Sequence, residues 1–236
     1  TPKVMVVAPA TNKSACGHPF TLDKPFRLIR VDHEYYLIDD ATPTDCIYLS
    51  LGHLFKNGYR PDLVISGINI GANMGEDITY SGTASAAMEA VIHGVPAIAI
   101  SQVCKDMCRS IVVDWDFELA CKVILDLISK IKNGSFPLAE RKFLNVNIPP
   151  LKVKDCKGVK ITKAGYREYG NDAHRHTNPR GEEYYWIGLH PLRWKPSIDS
   201  SCDFEAIKNG YVSISPIMLD MTSHSDIKNL ENWLEK

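Results

Sequence analysis

Short apolar runs bounded by turn residues recur along this 236-residue chain, with segments of helical period between them. The runs are KVMVVA at 3–8, DLVIS at 62–66, AIAIS at 97–101 and FLNVN at 143–147. A strand this apolar asks for cover on both faces, which an open antiparallel sheet does not give. Helices fit between the runs. One opens at Thr42-Pro43-Thr44-Asp45, with Thr42 as N-cap and Pro43 at the first helical position. A second, rich in small residues, spans about 81–93 and stops at Gly94; a third, amphipathic, spans 114–132. The alternation predicts an α/β chain with a doubly wound, mainly parallel sheet. Two shorter strands are expected at 25–31 and 34–38.

Beyond about residue 157 the texture changes. Segments 159–164, 166–169 and 183–187 are aromatic and β-rich, with Asn178-Pro179-Arg180-Gly181 as a turn. They predict a C-terminal antiparallel arm at 158–202 that serves oligomerisation. The core would then be 1–157 with 203–236, including a returning strand at 211–214 and a closing helix at 226–234.

Composition removes several classes of function. Net charge is −1, so no global basic field attracts a nucleic-acid polymer. No apolar stretch of about 18 residues is present, which argues against a membrane span, and without a charged segment followed by an apolar run at its start no secretory signal is expected. Seven cysteines at irregular spacings predict reduced thiols in the cytoplasm, and Cys104 with Cys108 could share a helical face. His174 and His176 have metal-like spacing, but a solvated arm explains them better. His224 fits a partner contact or a turn equally well, and Tyr184, Tyr185 and Trp186 read as packing within the arm.

In an open α/β sheet, ligands bind outside the carboxyl ends of the strands. Two loops on that rim have unusual content: 11–18, TNKSACGH, and 66–77, SGINIGANMGED. Gly67, Gly71 and Gly75 allow close backbone approach, Asn69 and Asn73 offer carbonyl oxygens, and Glu76 and Asp77 offer carboxylates. Tyr80-Ser81-Gly82-Thr83 then starts a helix, where exposed amides and two hydroxyls make a phosphate seat. Ala84, Ala86 and Ala87 let that helix pack tightly.

The strings APATNKSACGH, TPTDC, DLVISGINIGANMGEDITYSGTASAAMEA, VPAIAIS, FLNVNIP, NPRGEEYYWIG and GYVSISPI occur in the order found in SurE proteins. The chain resembles that family from end to end, and the block 66–89 is the most specific part. The resemblance implies a Rossmann-like core with swapped C-terminal elements; the aromatic arm, from about 166 to 187, itself predicts a homodimer or homotetramer. The resemblance implies a metal-dependent phosphatase acting on nucleoside 5′-monophosphates, with 3′-monophosphates and short polyphosphate as further substrates to consider. It also implies one divalent metal ion, magnesium or manganese, per subunit.

Carried over by position, Ser14 and Asn69 match the family's metal ligands. Asn73, Ser81, Gly82 and Thr83 match the positions around the phosphate, and Gly67, Gly71 and His18 those that shape the substrate site. Two departures are small: Pro19-Phe20 follows His18, and Ala41 precedes Thr42-Pro43. A third is large. SurE proteins carry Asn-Asp-Asp-Gly at the end of a first strand, and that string does not occur in these 236 residues. Ile38-Asp39-Asp40-Ala41 lacks its flanks. A hard dication wants carboxylate oxygens, so the alternative is a non-catalytic nucleotide-binding or assembly protein. A dehydrogenase is excluded by the lack of Gly-x-Gly-x-x-Gly after the first strand.

Overall fold

Strand β5 (Ala97–Gln102) is buried at every position, and its alternation sets the layers around it. Ala97 and Ala99 pack toward helix α2 (Gly82–Ile92), together with Ala84, Ala87 and Met88. Ile98 and Ile100 pack toward helix α3 (Glu118–Asn133), together with Leu119, Ala120 and Val123. Helices therefore cover both faces of the sheet, as uninterrupted apolar strands require. This is a computed structural model that describes residues 3–55, 59–104, 115–170, 173–187, 193–195 and 201–235.

The main sheet has five strands in the order β4 (Val64–Ile70), β5, β6 (Lys142–Ile148), β10 (Val212–Met218), β7 (Val159–Ile161). The pairs β4–β5, β5–β6 and β10–β7 are parallel, and β6–β10 is antiparallel. It is a mixed, mainly parallel sheet, in agreement with the sequence reading.

Strand β1 (Val6–Pro9) departs from expectation. It pairs in parallel with β3 (Tyr35–Ile38), which pairs antiparallel with β2 (Leu28–Asp32), in a separate three-stranded sheet. Val4 and Val6 are exposed rather than buried. Among the described residues β1 is an edge strand, and an apolar run by itself does not specify which sheet takes it. The shorter pair expected at 25–31 and 34–38 does form. Strand β7 is a second departure. Residues 159–161 belong to the main sheet beside β10, so the antiparallel hairpin is formed later, by β8 (Ala173–Thr177) and β9 (Glu183–Ile187).

Local signals explain where helices begin. At α1 (Pro43–Leu49), Thr42 Oγ1 accepts the Asp45 N–H at 3.1 Å and Asp45 accepts the Thr42 N–H at 2.9 Å, a reciprocal capping box. Asp45 also accepts the backbone and hydroxyl of Thr21, which fastens the preceding loop to the helix. Helix α3 starts at Glu118, later than expected, and position 114 lies outside the described residues. Helices α4 (Asp203–Lys208) and α5 (Ile227–Leu234) flank β10 in sequence. Cys104 is disulfide-bonded, which corrects the expectation of reduced thiols; Cys108 lies outside the described residues. Cys16, Cys46, Cys121, Cys156 and Cys202 are free. Among the described residues no helix is long and apolar enough to cross a membrane.

Candidate active site

Helix α2 begins where a 3-10 turn, Gly75–Tyr80, gives way to Ser81 in extended backbone. The buried Ser81 hydroxyl accepts the Ala84 N–H at 3.0 Å and so caps the helix. The next two amides, Gly82 N–H and Thr83 N–H, have no hydrogen-bond partner among the described residues. Free amides at the positive end of a helix dipole form an anion seat. Space at the first helical position is tight. A Cβ on Gly82 would lie 3.0 Å from Pro43 Cγ and 3.1 Å from Cys16 Sγ.

Those two contacts show how the rim is assembled. The loop carrying Ser14 lies against the start of α2, and Gly17 N–H donates to Tyr80 C=O at 3.0 Å. His18 Nε2 lies 3.0 Å from Glu89 Oε2, and His93 Nε2 lies 2.9 Å from Glu89 Oε1. The Glu89 carboxylate is buried within α2, so His18 is held by the same helix that bears the seat. Ser14 sits in a tight local turn, with its N–H and hydroxyl both donating to Asn12 Oδ1, at 2.9 and 2.6 Å. Burial raises the Cys16 thiol above its usual range, so it stays protonated beside the seat.

The second rim loop is more ordered than its glycines suggest. Strand β4 runs on through Asn69 and Ile70, which pair with Ser101 and Gln102 after a register shift beyond Ser66. Gly67 is in that irregular stretch at φ 132°, and a Cβ there would collide with the Ile100 carbonyl. Gly71 N–H then donates to Gln102 C=O at 2.9 Å. Asn69 Nδ2 donates to Gly71 C=O at 3.0 Å, which leaves its Oδ1 as the available acceptor.

Asn73 is buried beneath the rim. Its Nδ2 donates to Ser101 Oγ at 2.8 Å, and its backbone is held by Asn145 and Asn147. Gly75 N–H donates to the buried Asp203 carboxylate at 2.9 Å, and Gly165 N–H donates to its other oxygen at 2.9 Å. Burial raises the Asp203 carboxyl above its ordinary range, opposed by these amides and that of Phe204. Glu76 and Asp77 are engaged by residues of the segment that follows β7. Arg167 N–H donates to Glu76 at 2.6 Å, while Asp77 takes the Arg167 guanidinium and the Tyr169 hydroxyl, the latter at 2.9 Å. Burial, and then Asp77, pushes the Tyr169 phenol well above its usual range.

The structure thus brings Gly82 and Thr83 together with the 14–18 loop, and places Asn69, Gly67 and Gly71 along the end of β4. Ser14 and Asn69 share no hydrogen bond among the described residues. As donors for a divalent metal they are of the right type, neutral and hard, but they carry no charge. No group of three His, Cys, Asp or Glu that could hold a metal occurs among the described residues. With Glu76 and Asp77 committed to Arg167 and Tyr169, the described residues do not by themselves fit a dication. Asn145, Asn147, Asp203 and Glu89 are absent from the sequence-based site. For Asn145, Asn147 and Glu89 the available signal was a polar residue inside an otherwise apolar segment, FLNVN or AAMEA; Asp203 carried no such signal.

The family profile described as Survival protein SurE matches residues 1–171. A protein of Aliarcobacter butzleri called 5′-nucleotidase SurE is 73% identical over 232 residues, 98% of this chain and 88% of its own length. One of the same name from Sulfurovum sp. is 60% identical over 99% of this chain and 88% of its own length. The crystal structure of the SurE protein from Aquifex aeolicus superposes with a TM-score of 0.81 at 39% identity, covering 99% of this chain and 89% of that one.

Proposed function

The chain belongs to the SurE family, and from that premise we propose that it is a 5′-nucleotidase, a phosphoric monoester hydrolase releasing phosphate from nucleoside 5′-monophosphates. The observation that carries the reading beyond family membership is the capped start of α2, with two free amides set against the Ser14 loop. In the reaction, water adds its oxygen to phosphorus, and the ester oxygen leaves with a proton as the nucleoside 5′-hydroxyl. Charge builds on the non-bridging phosphoryl oxygens. Gly82 and Thr83 N–H groups donate to those oxygens, and the Thr83 hydroxyl is the adjacent side-chain donor. Ser81 holds the seat in shape through its cap, and Asn73 supports the loop that leads into it. His18, fixed by Glu89, borders the substrate, while Gly67 and Gly71 let the backbone pass close beside it.

The family depends on a divalent metal, and magnesium or manganese is the ion we expect. It would supply charge compensation at the phosphoryl oxygen. Ser14 and Asn69 would face it, but the described residues hold no group of three His, Cys, Asp or Glu that could complete its shell. The β8–β9 hairpin and the C-terminal helix are read as assembly elements of a homodimer or homotetramer with exchanged C-terminal parts. Tyr185, Trp186 and Ile187 on the hairpin, and Leu230, Trp233 and Leu234 on α5, are exposed, which supports that reading.

Phosphate release from adenosine 5′-monophosphate, with magnesium and with manganese, tests the function. Turnover that a chelator abolishes is the expected result. Binding of the nucleotide without phosphate release would replace this reading with that of a nucleotide-binding or assembly protein.

A further inference from the structure

The face of the main sheet beneath α2 changes character along β6. Toward one end it is apolar, with Phe143 packed against Ala84, Ala87 and Ala99. Toward the rim it carries Asn145 and Asn147, both fully buried, with Ser101 alongside on β5. Asn147 uses both ends of its carboxamide on one residue. Its Oδ1 accepts the Asn73 N–H at 2.9 Å, and its Nδ2 donates to the Asn73 C=O at 3.0 Å. This copies one rung of an antiparallel ladder, in which a residue exchanges both backbone groups with its partner. Asn145 Nδ2 donates to the same carbonyl at 2.8 Å.

We infer that Asn147, assisted by Asn145, is a positioning residue that fixes the Asn73 loop and through it the approach to the α2 phosphate seat. The inference rests on the nucleotidase reading for its kinetic consequence alone.

A purely stabilising role explains the arrangement less well. A buried amide pair contributes little more than apolar side chains of the same shape, and an unsatisfied group costs stability. Asn145 Oδ1 has no hydrogen-bond partner among the described residues. The polar neighbours on β10 differ in what they serve. Ser213 and Ser215, opposite Asn147 and Asn145, both bond Thr162 Oγ1 at 2.7 Å and make no hydrogen bond to the loop. The asparagines converge on one backbone carbonyl, so their directionality goes to placing the loop. Gly71 at one side of Asn73 is tied to β5, and Gly75 at the other to Asp203. Asn147 holds the middle of that span.

The test compares Asn147→Ala with Ser213→Ala, two buried hydrogen-bond deletions at paired positions of which one touches the loop. Three quantities are read: the urea midpoint, kcat and KM for adenosine 5′-monophosphate, and hydrogen exchange over residues 71–80. Asn147→Ala is expected to exchange faster over 71–80. Its kcat/KM should fall about 10- to 100-fold, the range for lost groups that orient ligands. Ser213→Ala should lose stability with parent exchange over 71–80 and parent kcat/KM. If Asn147→Ala does not fold, Asn145→Ala against Ser215→Ala gives the same contrast with one bond removed. Unchanged exchange over 71–80 in the asparagine variant, or equal losses in the serine variant, overturns the inference. A parent protein that releases no phosphate would instead sink the nucleotidase reading, with the exchange comparison still deciding the role of Asn147.

Discussion

Replacing Asp203 by Ala tests whether one buried carboxylate joins the site loop to the base of the arm. Asp203 is fully buried and accepts three N–H groups, those of Gly75, Gly165 and Phe204, each at 2.9 Å. Gly75 and Gly165 are packed closely about this carboxylate, since a Cβ on Gly75 would lie 2.5 Å from the Gly165 carbonyl. Stranding those two amides costs about 1–3 kcal/mol each, or about 2–6 kcal/mol together. Removing the buried charge gives part of this back, because burial already disfavours the ionised form. A net loss of about 3 kcal/mol is expected, a large fraction of the roughly 5–15 kcal/mol that holds a domain folded.

With a urea slope of about 1–3 kcal/mol/M, the midpoint should fall by about 1 M or more. The pH dependence has a definite sign. The folded carboxyl has a raised pKa, so the folded state binds the proton more tightly than the unfolded chain. Its contribution is greatest below the unfolded value and declines as pH rises through the folded one. The difference between parent and variant should therefore shrink from about pH 4 upward. A loss below about 1 kcal/mol at neutral pH would refute the reasoning.

Gly82→Ala places a methyl against Pro43 and Cys16 and should force the Ser14 loop away from the seat. KM for the nucleotide should rise several-fold more than kcat falls; equal parent values would remove that packing from the site. The exposed apolar rows of β9 and α5 should be covered in a closed oligomer. Sedimentation at micromolar concentration is expected to give a dimer or tetramer, and monomer alone would count against it.

Much of this was readable from local chemistry. Thr42, Pro43 and Asp45 announce their own helix start because a capping box is complete within four residues. The alternation of β5 between alanine and isoleucine follows from cover on both faces. What could not be read depends on distant partners. The Asp203–Gly75 bond spans 128 positions and the Asn147–Asn73 bond 74, so neither leaves a spacing to recognise. Glu76 and Asp77 look like metal ligands in isolation. Arg167 and Tyr169 decide otherwise, and they lie about 90 positions further on. Strand β1 shows the converse: its apolar pattern was plain, but pattern alone does not choose between two sheets.

The alanines between α2 and β5 have a consequence for how the protein can vary. Ala84 and Ala87 on the helix share one core cluster with Ala97 and Ala99 on the strand, so small side chains separate helix and strand at these four positions. The amides of Gly82 and Thr83 ride on that helix, whereas Asn69 and Asn73 are tied to the sheet. Any enlargement at the four alanines acts as a shim that lifts one half of the site relative to the other. A substitution that the core could absorb as mere volume would thus be felt first as a misplaced phosphate seat. The dimensions of the site are in this sense set one layer below it, at positions that never touch the substrate.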